Sequence, residues 1–134
     1  MSGSPLRLDM TSLIRALIKS RASDLHLKPG RPPFFRINGR LLASRLSDLS
    51  EDQIRTLLWP LLSPQQQEQL RSRRYVDISF TVPTVGRFRC NVFFQRSQLA
   101  AVIRMVPLTI PELAQLGVPS IMQNLCTRRR GLIL

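Results

Sequence analysis

Two alternating runs, Arg87 to Gln95 and Leu99 to Val106, lie so close in the chain that they are read as one long antiparallel hairpin. No other feature restricts the fold as much. A period of two places successive side chains on opposite faces of a strand. Phe88, Cys90, Val92 and Phe94 therefore share the face turned toward a core, and Arg87, Arg89 and Asn91 share the other. With a four-residue loop, Gln95 to Gln98, Phe94 faces Leu99 and Arg89 faces Arg104. Like charges directly opposite each other on a sheet are unfavourable, so an anion or carboxylates held between the two guanidinium groups would account for the pair. Two alternatives stand beside this: the long side chains splay into solvent, or a bulge breaks the register.

The flanking segments supply more strands and helices to cover them. Leu13, Ile14, Leu17 and Ile18 recur at helical spacing within Thr11 to Arg21. Ser23 to Lys28 alternates, with Leu25 and Leu27 on one face and Asp24, His26 and Lys28 on the other. Phe34 to Ile37 leads into Asn38-Gly39, the dipeptide best suited to a two-residue hairpin turn, and then to Leu41-Leu42. Ser50, Glu51, Asp52 and Gln53 carry the signature of a capped helix start, and the helix is expected to run to Ser63-Pro64. Pro64 suits the first turn of a polar helix reaching Arg74, after which Tyr75 to Val82 alternates again. Short helices are expected near Pro111 to Leu116 and Pro119 to Cys126, and an apolar strand at Gly131 to Leu134. The order predicts an α/β (α+β) fold in which an antiparallel sheet packs with helices.

A chain of 134 residues, 43% of them hydrophobic, suits one domain with a real core. No apolar run approaches the roughly 20 residues that span a bilayer, and Met1 to Met10 lacks the apolar stretch of a signal peptide. The expected location is therefore cytosolic. Cys90 and Cys126 match neither a redox pair nor a metal-ligand spacing and are read as reduced thiols. His26 is the only histidine, so with Asp24 it makes no metal site, and a hydrogen-bonded structural role is expected for both. The formal charge of +12 arises from 18 Arg and 2 Lys against 8 acidic residues. It is compatible with a solvated coat, an acidic partner, nucleic acid or an anionic membrane. None of the glycines forms a phosphate-binding loop, a dinucleotide fingerprint or a nucleophile elbow, so the chain cannot cradle a nucleotide alone.

Several motifs in fixed order carry a family resemblance. Ala22-Ser-Asp-Leu-His-Leu-Lys-Pro-Gly-Arg-Pro-Pro33 and Arg36-Ile-Asn-Gly39 come first, then Asp77-Ile-Ser-Phe80 and Gly86-Arg-Phe-Arg-Cys-Asn-Val-Phe93. Ile103-Arg-Met-Val-Pro107, Leu116-Gly-Val-Pro119 and Arg130-Gly-Leu-Ile-Leu134 follow. Together they resemble the type IV pilus retraction ATPases of the PilT kind over about Ser12 to Leu134, with PilU-like relatives close by. Looser versions occur across the secretion ATPase superfamily, including the GspE-like enzymes. The resemblance implies a PAS-like sandwich at residues 1–107, a linker with short helices at 108–130, and at 131–134 the first strand of a RecA-like ATPase domain lying beyond this sequence. It implies ATP and Mg2+ as cofactors of the full-length protein, with none bound by this chain alone. It further implies a homo-hexamer through the ATPase domain, a pilus platform protein at the inner membrane as partner, and a cytoplasmic place peripheral to that membrane. Arg87, Arg89 and Arg104 match family arginines that reach toward the nucleotide as finger or sensor groups. The alternative readings are an assembly or type II secretion ATPase domain, or a free-standing basic module for nucleic acid or acidic membrane.

Overall fold

The computed structural model describes residues 8–107 and 109–132. Six strands form one antiparallel sheet: β1 (Asp24–Leu27), β2 (Phe34–Ile37), β3 (Arg40–Ala43), β4 (Tyr75–Val82), β5 (Gly86–Gln95) and β6 (Gln98–Val106), in the order β3-β2-β1-β6-β5-β4. Three helices, α1 (Met10–Lys19), α2 (Glu51–Leu58) and α3 (Pro64–Arg73), supply the second layer. Leu13, Ile14 and Leu17 of α1, Ile54 and Leu58 of α2 and Leu70 of α3 join Leu25, Val76, Phe88, Cys90, Val92 and Ile103 of the sheet in one buried core. The expected α+β class and the expected helix-covered antiparallel sheet are what the chain forms.

Local chemistry accounts for the element ends. Asp9 caps α1 by accepting the Ser12 N–H at 2.7 Å. Ser50 and Gln53 cap α2 reciprocally, as their spacing suggests, and Ser63 and Gln66 do the same for α3 with Pro64 in its first turn. The α2 helix stops at Leu58 rather than running to Ser63, because Pro60 has no N–H to donate; a single tighter turn, Trp59–Leu61, carries the chain onward. Asn38 and Gly39, with φ of 49° and 79°, make the expected tight turn between β2 and β3.

The central hairpin has the expected register, Phe94 opposite Leu99 and Arg89 opposite Arg104, with no bulge between them. Its loop is shorter than four residues. Gln95 and Gln98 pair as the last rung, and only Arg96 and Ser97 turn, both left-handed with φ of 49° and 64°. Beyond β6, a short turn at Leu113–Leu116 and α4 (Ile121–Cys126) contribute no buried residue. Gly131 and Leu132 carry no regular structure, and the other half of the strand expected there, Ile133 and Leu134, lies outside the described residues.

Candidate functional site

The sheet face turned away from the helices carries the polar chemistry. Register places Arg36 (β2), Asp24 (β1), Arg104 (β6), Arg89 (β5) and Ser79 (β4) side by side in one row across five strands. Every member of the row is there because its strand neighbours Phe35, Leu25, Ile103, Phe88, Cys90 and Ile78 are committed to the core, and alternation leaves no other direction.

Carboxylates offset the Arg89–Arg104 juxtaposition. Arg104 Nε donates to Asp24 Oδ1 at 2.7 Å, and Arg89 Nη2 lies 3.7 Å from Asp77 Oδ2. Asp24 has a side chain only 3% exposed and also receives Ser23 Oγ at 2.8 Å and faces Arg36 Nε at 3.3 Å. Burial pushes the Asp24 carboxyl upward, yet hydrogen bonds from Arg104 and Ser23 and the Arg104 charge outweigh it. The net position is below the ordinary 3.8. Asp24 is therefore a fixed anion beneath two guanidinium groups.

The arginines remain open. Side chains of Arg104 and Arg89 are 69% and 67% exposed. Arg104 is held through Nε, and among the described residues its terminal nitrogens make no hydrogen bond to protein. Asp77, Arg89, Asn91, Val102 and Arg104 line a shallow dent of about 220 Å³. Ligand cavities usually enclose roughly 300–1,000 Å³, so the dent fits an oxyanion or the end of a phosphate chain, not a whole nucleotide. Arg87 shares this face but stands one rung outward, opposite Val106 and Thr81. Three expected arginines thus share a face, and two of them are neighbours.

The expectation that Asp24 and His26 are both hydrogen-bonded needs correction. Asp24 is; His26 Nε2 is buried with no hydrogen-bond partner among the described residues. Its neighbours across the sheet are Phe34 and Val102, whose side chains offer no acceptor. Burial and the Arg36 charge push the imidazole below its ordinary 6.5, against the pull of Asp24. Ser23, Arg36 and Asp77 stand within the motifs Ala22 to Pro33, Arg36 to Gly39 and Asp77 to Phe80, but the sequence assigned none of them a place in the site.

Elsewhere the cationic groups are dispersed. Arg55 and Arg71 flank the Trp59 ring at 5.4 and 5.8 Å, and Arg74 lies over Phe94 at 4.0 Å. Arg128, Arg129 and Arg130 are exposed in the tail. Both cysteines are free thiols, and burial, helped by the Asp77 charge, pushes Cys90 up to about 12. Among the described residues no helix is long and apolar enough to cross a membrane.

No family model matches the chain. It is 33% identical over 127 residues to the type IV pilus retraction ATPase PilT of Pseudomonas aeruginosa, a match covering 95% of this chain and 37% of that protein. The type IV pilus ATPase PilU of the same organism is 28% identical over 127 residues, covering 95% of this chain and 33% of the relative. Among solved structures, the pilus retraction motor PilT with bound ADP superposes with a TM-score of 0.79 at 38% identity, over 90% of this chain and 36% of that one. The ATPase DotB of Legionella pneumophila, with a TM-score of 0.67 and 24% identity over 98% of this chain and 38% of that one, shares the fold. The chain spans between 33% and 38% of the length of these relatives.

Proposed function

The chain is a PilT-like N-terminal domain of the secretion ATPase superfamily, and from that premise we propose that it belongs to a hexameric motor powering pilus retraction and twitching motility. Its part is to present Arg89 and Arg104, with Arg87 beside them, to the phosphates of ATP held by a RecA-like domain. The observation that carries this reading is the open pair of Arg89 and Arg104 on neighbouring strands, Arg104 held by buried Asp24 and Arg89 beside Asp77.

ATP with Mg2+, when bound in the ATPase domain, supplies the phosphoryl chemistry. This chain's own residues hold and sense. Asp24 takes Arg104 through Nε, which aims its terminal nitrogens outward. Two guanidinium groups then stabilise charge that develops on phosphate oxygens, at no cost of reorganisation. Both sit in the central hairpin of a continuous sheet, so a change in what they hold displaces the whole domain as one rigid body. The motor works in the cytoplasm, against a platform protein at the inner membrane.

In the full-length protein, Arg89→Ala and Arg104→Ala should each lower ATP turnover at least about tenfold, since arginine fingers contribute roughly 10³–10⁵ in related phosphoryl transfer. Circular dichroism of both variants should stay unchanged. Wild-type turnover in both would remove the phosphate-contact role. Among the described residues the arginines form no single cationic stripe of the kind the nucleic-acid or membrane reading requires, and several are engaged with Trp59, Phe94, Asp24 and Asp77.

A further inference from the structure

The two edges of the sheet are built differently. β3 is four residues long and begins with Arg40, and a short, charged strand is a common protection of an edge against pairing with another chain. β4 has no such protection. It runs for eight residues, Tyr75 to Val82, without Lys, Arg or Pro; its register with β5 is unbroken by a bulge, and its one charge, Asp77, lies beside Arg89 on the open face. Phe94 N–H donates to Arg74 O at 2.9 Å, so Arg74 and Phe94 are a hydrogen-bonded pair. Alternation along an antiparallel ladder then gives Val76, Ile78, Phe80 and Val82 the bonds to β5 and directs the N–H and C=O groups of Tyr75, Asp77, Ser79 and Thr81 to the outer edge. All four residues are exposed, and among the described residues no other segment bonds to their backbone.

We propose that this edge pairs with the β4 edge of a second copy of the chain, antiparallel about a two-fold axis at Ile78, so that one sheet runs through both copies. The strand is complementary to itself in that register. Its outward backbone groups stand at odd positions, so only registers that set odd residues opposite odd residues form hydrogen bonds. With Ile78 opposite its own counterpart, Tyr75 faces Thr81 and Asp77 faces Ser79 on the open side, while Val76 faces Phe80 on the helix side. Every outward backbone group then finds a partner, aromatic side chains meet β-branched ones, and no like charges meet. The neighbouring registers are worse. One sets Asp77 against Asp77, which repel; the other sets Tyr75 against Pro83, which has no N–H to give. The pairing also ends itself, because the edges left over are the two protected β3 strands. A two-fold contact of this kind is closed and uses the same patch on both copies. It is made outside β5 and β6 and so does not depend on what Arg89 and Arg104 hold.

Sedimentation equilibrium of the chain from about 10 µM to about 1 mM should give a monomer–dimer equilibrium with a Kd of roughly 10⁻⁵–10⁻³ M, the weak range of a small interface. Amide hydrogen exchange supplies the readout by residue. In dilute solution Val76, Ile78 and Phe80 should be protected while Asp77, Ser79 and Thr81 exchange freely; in concentrated solution the second set should slow at least about tenfold. Ser79→Pro removes an outward N–H without touching the ladder to β5, and Ser79→Lys adds the charge that protected edges carry. Each should raise the Kd at least about tenfold with circular dichroism unchanged. With the exposed free thiol removed by Cys126→Ser, Asp77→Cys mixed with Ser79→Cys should form the mixed disulfide in preference to either symmetric one under mild oxidation. Only the directly facing pair falls within the roughly 4.4–6.8 Å between Cα atoms that a disulfide spans. A chain that stays monomeric throughout, association that survives both Ser79 variants, equal crosslinking of all three pairs, or growth beyond two copies would each overturn the proposal.

Discussion

At the scale of single residues, Asp24 does more than its position in a short strand suggests. It is the one buried charged side chain among the described residues, and its two arginine partners come from sequence positions 12 and 80 residues away. Truncating it by Asp24→Ala should cost about 1–3 kcal/mol in urea denaturation, the range for losing hydrogen bonds to a charged group; the arginines left behind are exposed enough to rehydrate. Because the folded carboxyl titrates below 3.8, its stabilisation is present above that pH and is lost as pH falls through the lowered value. His26 adds a second dependence at milder pH. Its folded imidazole titrates below 6.5, so the unfolded chain takes up the proton first. Stability should therefore decline as pH drops below 6.5, and His26→Phe should flatten that part of the profile, measured as the urea midpoint against pH. The facing of Asp24, His26, Arg89 and Arg104 was legible from alternation alone. Which cation met which carboxylate was not, since Asp24 and Arg104 are brought together only by strands from opposite ends of the chain.

At the scale of elements, the capping boxes and the Asn38-Gly39 turn were readable because their chemistry lies within a few residues. Ser50→Ala and Ser63→Ala should each cost about 1 kcal/mol, detectable as a lowered Tm. The β5–β6 loop is different. Arg96 and Ser97 both adopt left-handed backbone without the residue types that favour it, because the strands on either side are long and well matched and impose the turn. Replacing the pair with Asn-Gly should stabilise the chain by about 1 kcal/mol and leave the Arg89–Arg104 register unchanged. A drop in Tm would mean that the turn is held by its own side chains. The four-residue loop from Gln95 to Gln98 implied the right register, but the connection is two residues because pairing continues one rung further, to Gln95 and Gln98.

At the scale of the whole molecule, the sheet has one face in the core and one in solvent, and the two serve different ends. Phe88 is completely buried at the centre of the first, so Phe88→Ala should cost about 3–5 kcal/mol and lower the Tm well before any effect on the open face is seen. The net charge of +12 is a property of the surface as a whole. Binding of the isolated chain to duplex DNA should be weak, with a Kd of about 10⁻⁴–10⁻⁶ M at physiological salt and a steep fall as salt rises. Tight binding that resists salt would point to a nucleic-acid function instead. The amino-acid sequence by itself determined the strands, the helix starts, the inward and outward faces and the register of the central hairpin, because periodicity, capping and turn chemistry act over a few residues. Tertiary structure alone decided that β1 lies beside β6, that Asp24 sits beneath Arg104, and that His26 Nε2 is buried without a partner among the described residues. Those depend on which strands become neighbours, and that choice is made by burying one continuous core rather than by any local pattern.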